Sequence, residues 1–179
     1  MILILTGISG IGKTTIGKLL SQRTGWTFED GDDYHSEENR QKMAAGIPLT
    51  DDDRAPWLTT LHERMAQYIQ QGASAILACS ALKQQYRIRL AEGFAENECR
   101  FVYLHASAAL VRERIQLRDH AYMNPNLLDS QIATLEEPSE SWPVSVAGSP
   151  EQSVNEILAN LREAGQLVAC VSSKGRLVT

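Results

Sequence analysis

The sequence predicts an α/β domain in three layers, with helices covering both faces of a mainly parallel sheet. Three observations lead there. Short apolar runs alternate with helical patterns along the chain, the order that parallel strands with helical crossovers produce. The run Ala73–Cys79 is almost wholly apolar, as a strand covered on both faces is. The chain opens on the apolar run Met1–Thr6, followed at once by Gly7-Ile8-Ser9-Gly10-Ile11-Gly12-Lys13-Thr14-Thr15. Strand, glycine-rich turn and helix start in that order make a phosphate-binding loop.

Each part of that loop has a physical task. Gly7 and Gly12 let the backbone turn tightly and approach a phosphate without a clashing Cβ. The main-chain N–H groups from Ser9, Gly10 and Ile11 to Thr15 form a nest for anionic oxygens, and the helix that follows adds its positive end. Lys13 can reach the terminal phosphates of a nucleotide, and the Thr14 hydroxyl can ligate Mg²⁺.

The remaining elements follow in order. Lys13–Thr24 reads as a helix with Ile16, Leu19 and Leu20 on one face, stopped by Gly25. Trp26–Asp30 alternates as a second strand and runs into the acidic cluster Asp30-Gly31-Asp32-Asp33. Ser36 caps a short helix through Met43. Ile47–Arg54 reads as a polar connection, with Asp51–Asp53 as the solvated start of a helix marked by Trp57, Leu58, Leu61, Met65 and Ile69. After the third strand, Ser80 is the expected cap of a helix carrying Tyr86 and Leu90. Arg100–His105 is a fourth strand. Ser107 opens a helix with Val111 and Ile115 inward. A loop over 119–126 separates it from a helix over Leu127–Glu136. Pro143–Ala147 is a fifth strand. Ser149-Pro150-Glu151-Gln152 then combines an N-cap, Pro at the first helical position and a capping-box Gln. Leu167–Val171 reads as a further edge strand, and the rest of the tail has no assignment.

Composition narrows the class. The 179 residues suffice for one domain with a sizeable core and hardly for two. A net charge of −5 argues against a general nucleic-acid binder. The three cysteines, Cys79, Cys99 and Cys170, contain no Cys-x-x-Cys pair, so neither a disulfide framework nor a zinc site is suggested. A reducing cytoplasm is the simplest compartment. The chain starts directly on a core strand, which leaves no room for a cleavable signal, and no apolar run reaches membrane-spanning length.

Phosphoryl transfer needs charge neutralisation and an aligned acceptor. The third strand ends Ala78-Cys79-Ser80 without the metal-holding Asp common in such proteins. The carboxylates follow the second strand instead. On extended backbone Asp30 and Asp32 point to one face, about 7 Å apart. One then serves the Mg²⁺ shell while the other takes a proton from an acceptor hydroxyl; the plainer alternative is a solvated acidic turn. His35 and Arg54 are candidate acceptor contacts. Lys83 and Arg87, one helical turn apart, either hold an anionic acceptor or form a solvated basic face. Arg114 and Arg118 either cover a helix face or close over the transferring phosphate from a mobile lid.

Several blocks together carry a family resemblance. They are Gly7–Thr14, Asp30-Gly31-Asp32-Asp33-Tyr34-His35, Asn39 with Lys42-Met43, Gly46–Leu49, Asp51–Leu58, Cys79–Lys83 with Tyr86-Arg87, and Ser130-Gln131 with Thr134–Glu136 and Pro138. From Met1 to about Pro138 the chain resembles the gluconate kinases. The resemblance implies ATP-dependent phosphorylation of D-gluconate and a P-loop NTPase fold of nucleoside- and shikimate-kinase type, with a lid over about 112–126. It also implies, as a rule, a homodimer. On a gluconate-kinase reading Asp32 is the base and orients the hydroxyl, Asp30 and Thr14 serve the metal, and gluconate sits between His35, Arg54, Lys83 and Arg87. The lid departs from the family pattern, with Ala121 where a His is common. The alternatives are another small-acid kinase, such as a shikimate kinase, and a nucleotide-dependent regulator.

Overall fold

The computed structural model describes residues 1–116 and 125–167. Their elements run β1 (Ile2–Thr6), α1 (Lys13–Thr24), β2 (Thr27–Asp30), a 3-10 turn (Gly31–Tyr34), α2 (Glu37–Ala44) and α3 (Asp51–Gln70). There follow β3 (Ala75–Ala78), α4 (Gln84–Ala91), β4 (Cys99–His105), α5 (Ala108–Gln116), α6 (Pro125–Thr134), β5 (Trp142–Ser145) and α7 (Pro150–Glu163). The five strands pair in parallel in the order β2-β3-β1-β4-β5. The chain therefore leaves β1 in one direction along the sheet and later returns to its other side. Such a reversal opens a crevice at the carboxyl ends of the central strands.

The two-residue period of the strands sorts their side chains between two cores. Leu3 and Leu5 pack with Ile76, Val102 and Leu104 beneath α1 and α7. Ile2 and Ile4 pack with Leu77 and Phe101 beneath α3 and α4. Both faces of β1 are thus covered, which explains why its five residues are all buried.

Two local expectations change. α3 begins at Asp51, within the stretch read as a connection, because Thr50 and Asp53 close a reciprocal capping box. The three acids of its first turn sit on the positive end of the helix, where carboxylates are favoured. Ser80 does not cap α4. Its carbonyl accepts from the Gly7 amide at 3.3 Å and from the Thr6 hydroxyl, and Lys83 is the N-cap. Between them Ala81 has φ 40°, a left-handed backbone that disfavours any residue bearing a Cβ. At α7 the cap of Ser149, Pro150 and Gln152 forms as the sequence reads.

The loop expected over 119–126 falls mostly outside the described residues, as does the lid expected over about 112–126 between Gln116 and Pro125. The tail beyond Leu167, with most of the expected edge strand, lies outside them too. Among the described residues no helix is long and apolar enough to cross a membrane.

Candidate active site

The phosphate loop leaves β1 at the centre of the sheet. Gly7 has φ 138°, and a Cβ there would stand 2.6 Å from the Leu104 carbonyl oxygen of the neighbouring strand. Only glycine lets the chain turn that close to β4. Lys13, at the start of α1, folds its ammonium back onto the loop and donates to the carbonyls of Gly7 at 2.9 Å and Ile8 at 3.1 Å. Burial pushes its pKa down, against the opposing pull of Asp32, Cys79 and Asp30. A polyanion delivered to the loop would supply the charge that the surrounding protein only partly provides.

Strand order places the acidic cluster opposite this loop. β3 lies between β1 and β2, so the end of β2 faces the loop across the end of β3. Gly31 packs there so tightly that a Cβ would meet the Ala78 carbonyl oxygen at 2.8 Å. A cavity of about 550 Å³ lies between, lined by Ser9, Lys13, Thr14, Asp30, Asp32 and Ala78 among others. The Thr14 hydroxyl donates to Asp30 Oδ2 at 2.9 Å, while Asp30 Oδ1 accepts from the Asp32 amide at 3.2 Å. The backbone is extended at Asp30 and no further. It enters the 3-10 turn, and Asp30 itself caps that turn.

Asp32 meets solvent at the mouth of the cavity, yet protein surrounds its carboxylate closely. Burial raises its pKa above the ordinary 3.8, Lys13 and Arg54 pull it down, and the neighbouring Asp30 and Asp33 push it up. A carboxylate displaced upward is a stronger base than one free in water.

α3 fixes the turn from below. Trp57 Nε1 donates to the Gly31 carbonyl at 2.7 Å, and its ring stacks on His35 with centroids 4.2 Å apart. His35 is 5% exposed. Its Nδ1 is the one buried side-chain polar atom without a hydrogen-bond partner among the described residues. Burial, reinforced by the charges of Arg54 and Arg40, lowers its pKa to about 4. The ring is therefore neutral at physiological pH and can offer a hydrogen bond but no charge. The Arg54 guanidinium lies 5.8 Å from the centre of the Tyr86 ring. Its field reaches Asp32, His35 and Tyr86 alike.

Lys83 donates to both oxygens of Asp51, at 2.7 and 2.9 Å, and Asp51 also accepts from Gln85 and Tyr86. Arg87 does not lie on a solvated face. It is 3% exposed. Its Nη1 donates to the carbonyls of Ala81, Leu82 and Glu136, and its Nε to Glu140. The guanidinium therefore braces the left-handed turn at Ala81 from inside the protein. Helical spacing put Lys83 and Arg87 on one face; packing against the 136–140 segment turned that face inward at Arg87.

Arg114 lies at the end of α5 and reaches the Gly148 carbonyl at 3.5 Å. It lines a second cavity of about 240 Å³ with Gly12, Thr15, Val146, Gly148 and Pro150. Arg118 lies outside the described residues. No local signal in the sequence points to the β5–α7 turn as part of this cavity. The helix start at Ser149 was legible, but its nearness to the phosphate loop depends on strand order.

The arrangement has known counterparts. A family model described as "AAA domain" matches residues 2–138. A protein of Mus musculus described as "Probable gluconokinase" is 42% identical over 180 residues, covering 91% of this chain and 96% of that one. A "Gluconokinase" of Gluconobacter oxydans (strain 621H) is 43% identical over 142 residues, 79% of each chain. The crystal structure of a gluconokinase from Sinorhizobium meliloti 1021 superposes with a TM-score of 0.81 at 39% identity, covering 90% of this chain and 91% of that one. Likeness of that extent in both sequence and fold, around a loop and carboxylate pair that face each other across one cavity, places this chain in the gluconokinase family of P-loop kinases.

Proposed function

We propose that this single-domain protein, residues 1–179, works as a gluconokinase, transferring the γ-phosphoryl group of ATP to the terminal hydroxyl of D-gluconate. One observation carries the mechanism: Asp30, hooked to Thr14, and Asp32 line the same cavity as Lys13. The main-chain amides of the loop and Lys13 hold the triphosphate. The nucleoside lies toward the second cavity, beside Arg114 and the β5–α7 turn. Gluconate sits among His35, Arg54 and Lys83. His35 Nδ1, which has no hydrogen-bond partner among the described residues, offers a hydrogen bond to a sugar hydroxyl, and Arg54 faces the carboxylate. Asp32 accepts the proton of the terminal hydroxyl as that oxygen bonds to the γ-phosphorus and ADP departs.

The Thr14 hydroxyl and the Asp30 carboxylate, 2.9 Å apart, are hard oxygen donors of the kind that suits Mg²⁺ with phosphate and water completing its shell. Bound there, Mg²⁺ would offset charge on the phosphate oxygens. The reading extends to Arg114 and Arg118 closing over the phosphate within a lid, to a homodimer, and to a cytoplasmic location.

An ADP-release assay over gluconate, other sugar acids, shikimate and nucleoside monophosphates tests the proposal. Gluconate should be the preferred acceptor. Turnover on shikimate or a nucleotide, with none on gluconate, would overturn it.

A further inference from the structure

Gln131 grips the phosphate loop with both ends of its amide. Its Oε1 accepts from the Ser9 main-chain N–H at 2.7 Å, and its Nε2 donates to the Ser9 hydroxyl at 2.9 Å. Only the oxygen can accept from an N–H, so the backbone contact fixes which way the amide points. Ser9 lines the cavity that holds Asp30 and Asp32, so this grip sets the loop at the place where transfer occurs.

The same stretch of chain is fastened a second time, on the acceptor side. Just beyond α6, the Glu136 amide donates to the Leu82 carbonyl at 2.9 Å. The Glu136 carboxylate accepts from the Gln84 amide, and its carbonyl accepts from Arg87 at 3.0 Å. The residues held there, Leu82 to Gln84, flank Lys83. One continuous stretch, Gln131 to Glu136, thus bridges the phosphate loop and the loop that presents Lys83. The two loops sit at the ends of neighbouring strands, β1 and β3. The bonds at Ser80 and the packing of Leu82 with Ile8 and Ile11 join the same two loops directly.

We propose that Gln131 is a positioning residue that couples the two substrate sites, so that ATP binding and gluconate binding strengthen each other through the Gln131–Glu136 bridge. Fixing Ser9 from α6 makes the shape of the phosphate loop depend on where α6 stands. The position of α6 in turn depends on the acceptor loop held at Glu136. A ligand that settles either loop lowers the ordering cost that the other ligand must meet. This inference rests on the gluconokinase reading.

The test is calorimetric, on the full chain. The Kd of a non-hydrolysable ATP analogue is measured with and without saturating gluconate, for wild type, Gln131→Ala and Glu136→Ala. The two substitutions release opposite ends of the bridge. Melting temperatures check that each variant is folded. For wild type, gluconate should tighten the analogue about fivefold or more, within the usual range of coupling between sites. In each variant that ratio should fall close to one, and the analogue's Kd without gluconate should change less than the ratio does. A bridge that merely supports the fold would weaken both ligands and leave the ratio intact, and that result overturns the inference. A wild-type ratio of one overturns it as well. If wild type binds the analogue but no gluconate, the functional reading falls and this inference with it. Gluconate binding with coupling preserved in both variants removes the inference alone.

Discussion

Replacing Asp32 by Asn removes a proton acceptor while keeping the shape of the side chain. The backbone around it should not move, because Asp30 Oδ1 holds the Asp32 amide at 3.2 Å and Trp57 holds the Gly31 carbonyl. Lys13 keeps its anchors on Gly7 and Ile8, so triphosphate binding should persist. What is lost is general-base assistance, which contributes about 10²- to 10⁴-fold, or about 3–5 kcal/mol of barrier. In a gluconate-dependent ADP-release assay, kcat should fall by that factor with little change in KM for ATP. The pH profile gives a second reading. Asp32 must be ionised to act, and its pKa is raised above 3.8. Wild-type kcat/KM should therefore climb with pH over a window displaced upward from that of an ordinary carboxylate, and the variant should lack this limb. Stability should move the opposite way. A carboxylate whose folded pKa is raised binds its proton more tightly in the native state, so it destabilises the fold as pH rises through that window. Asp32→Asn should hold or raise the melting temperature at pH 7 while activity collapses. Turnover within about threefold of wild type, with the acidic limb intact, would refute the assignment of Asp32 as the base.

Two further substitutions separate binding from support. His35 has a folded pKa of about 4 against 6.5 when unfolded, so the unfolded chain binds more protons between those values and stability rises with pH across them. That amounts to about 2 kcal/mol between pH 5 and pH 7. Urea unfolding of His35→Gln should lose most of this difference, and an unchanged slope would show that His35 is not its source. Arg87→Met should leave the Ala81 and Glu136 carbonyls without the Arg87 donor, while Leu82 keeps the Glu136 amide, and cost about 3 kcal/mol. A lowered denaturation midpoint with KM for gluconate nearly unchanged among folded molecules is the expected result. Unchanged stability with a large rise in KM would assign Arg87 to the acceptor site instead.

How much could be read without coordinates depends on how local each feature is. The phosphate loop is a contiguous run whose glycines, lysine and threonine each answer a local demand, and α1 starts and stops at the residues that spacing indicates. The cap at Ser149 was legible for the same reason, since all its partners lie within four residues. Boundaries slipped where a local signal had a competitor. Ser80 looks like a cap, but its carbonyl is claimed by Thr6 and Gly7, more than seventy residues away in sequence.

The sequence by itself determined the α/β alternation, the phosphate loop, the carboxylates that follow β2 and, through blocks of matching residues, the family. Those properties reside in short stretches, where spacing and residue type dictate local geometry. Only the tertiary structure decided which of the charged side chains face the cavity. It turned Arg87 inward, paired Lys83 with Asp51, seated His35 on Trp57 and brought Gln131 onto Ser9. The physical reason is that strand order and helix packing fix the direction of a side chain, and both arise from contacts between distant segments that no short window of sequence contains.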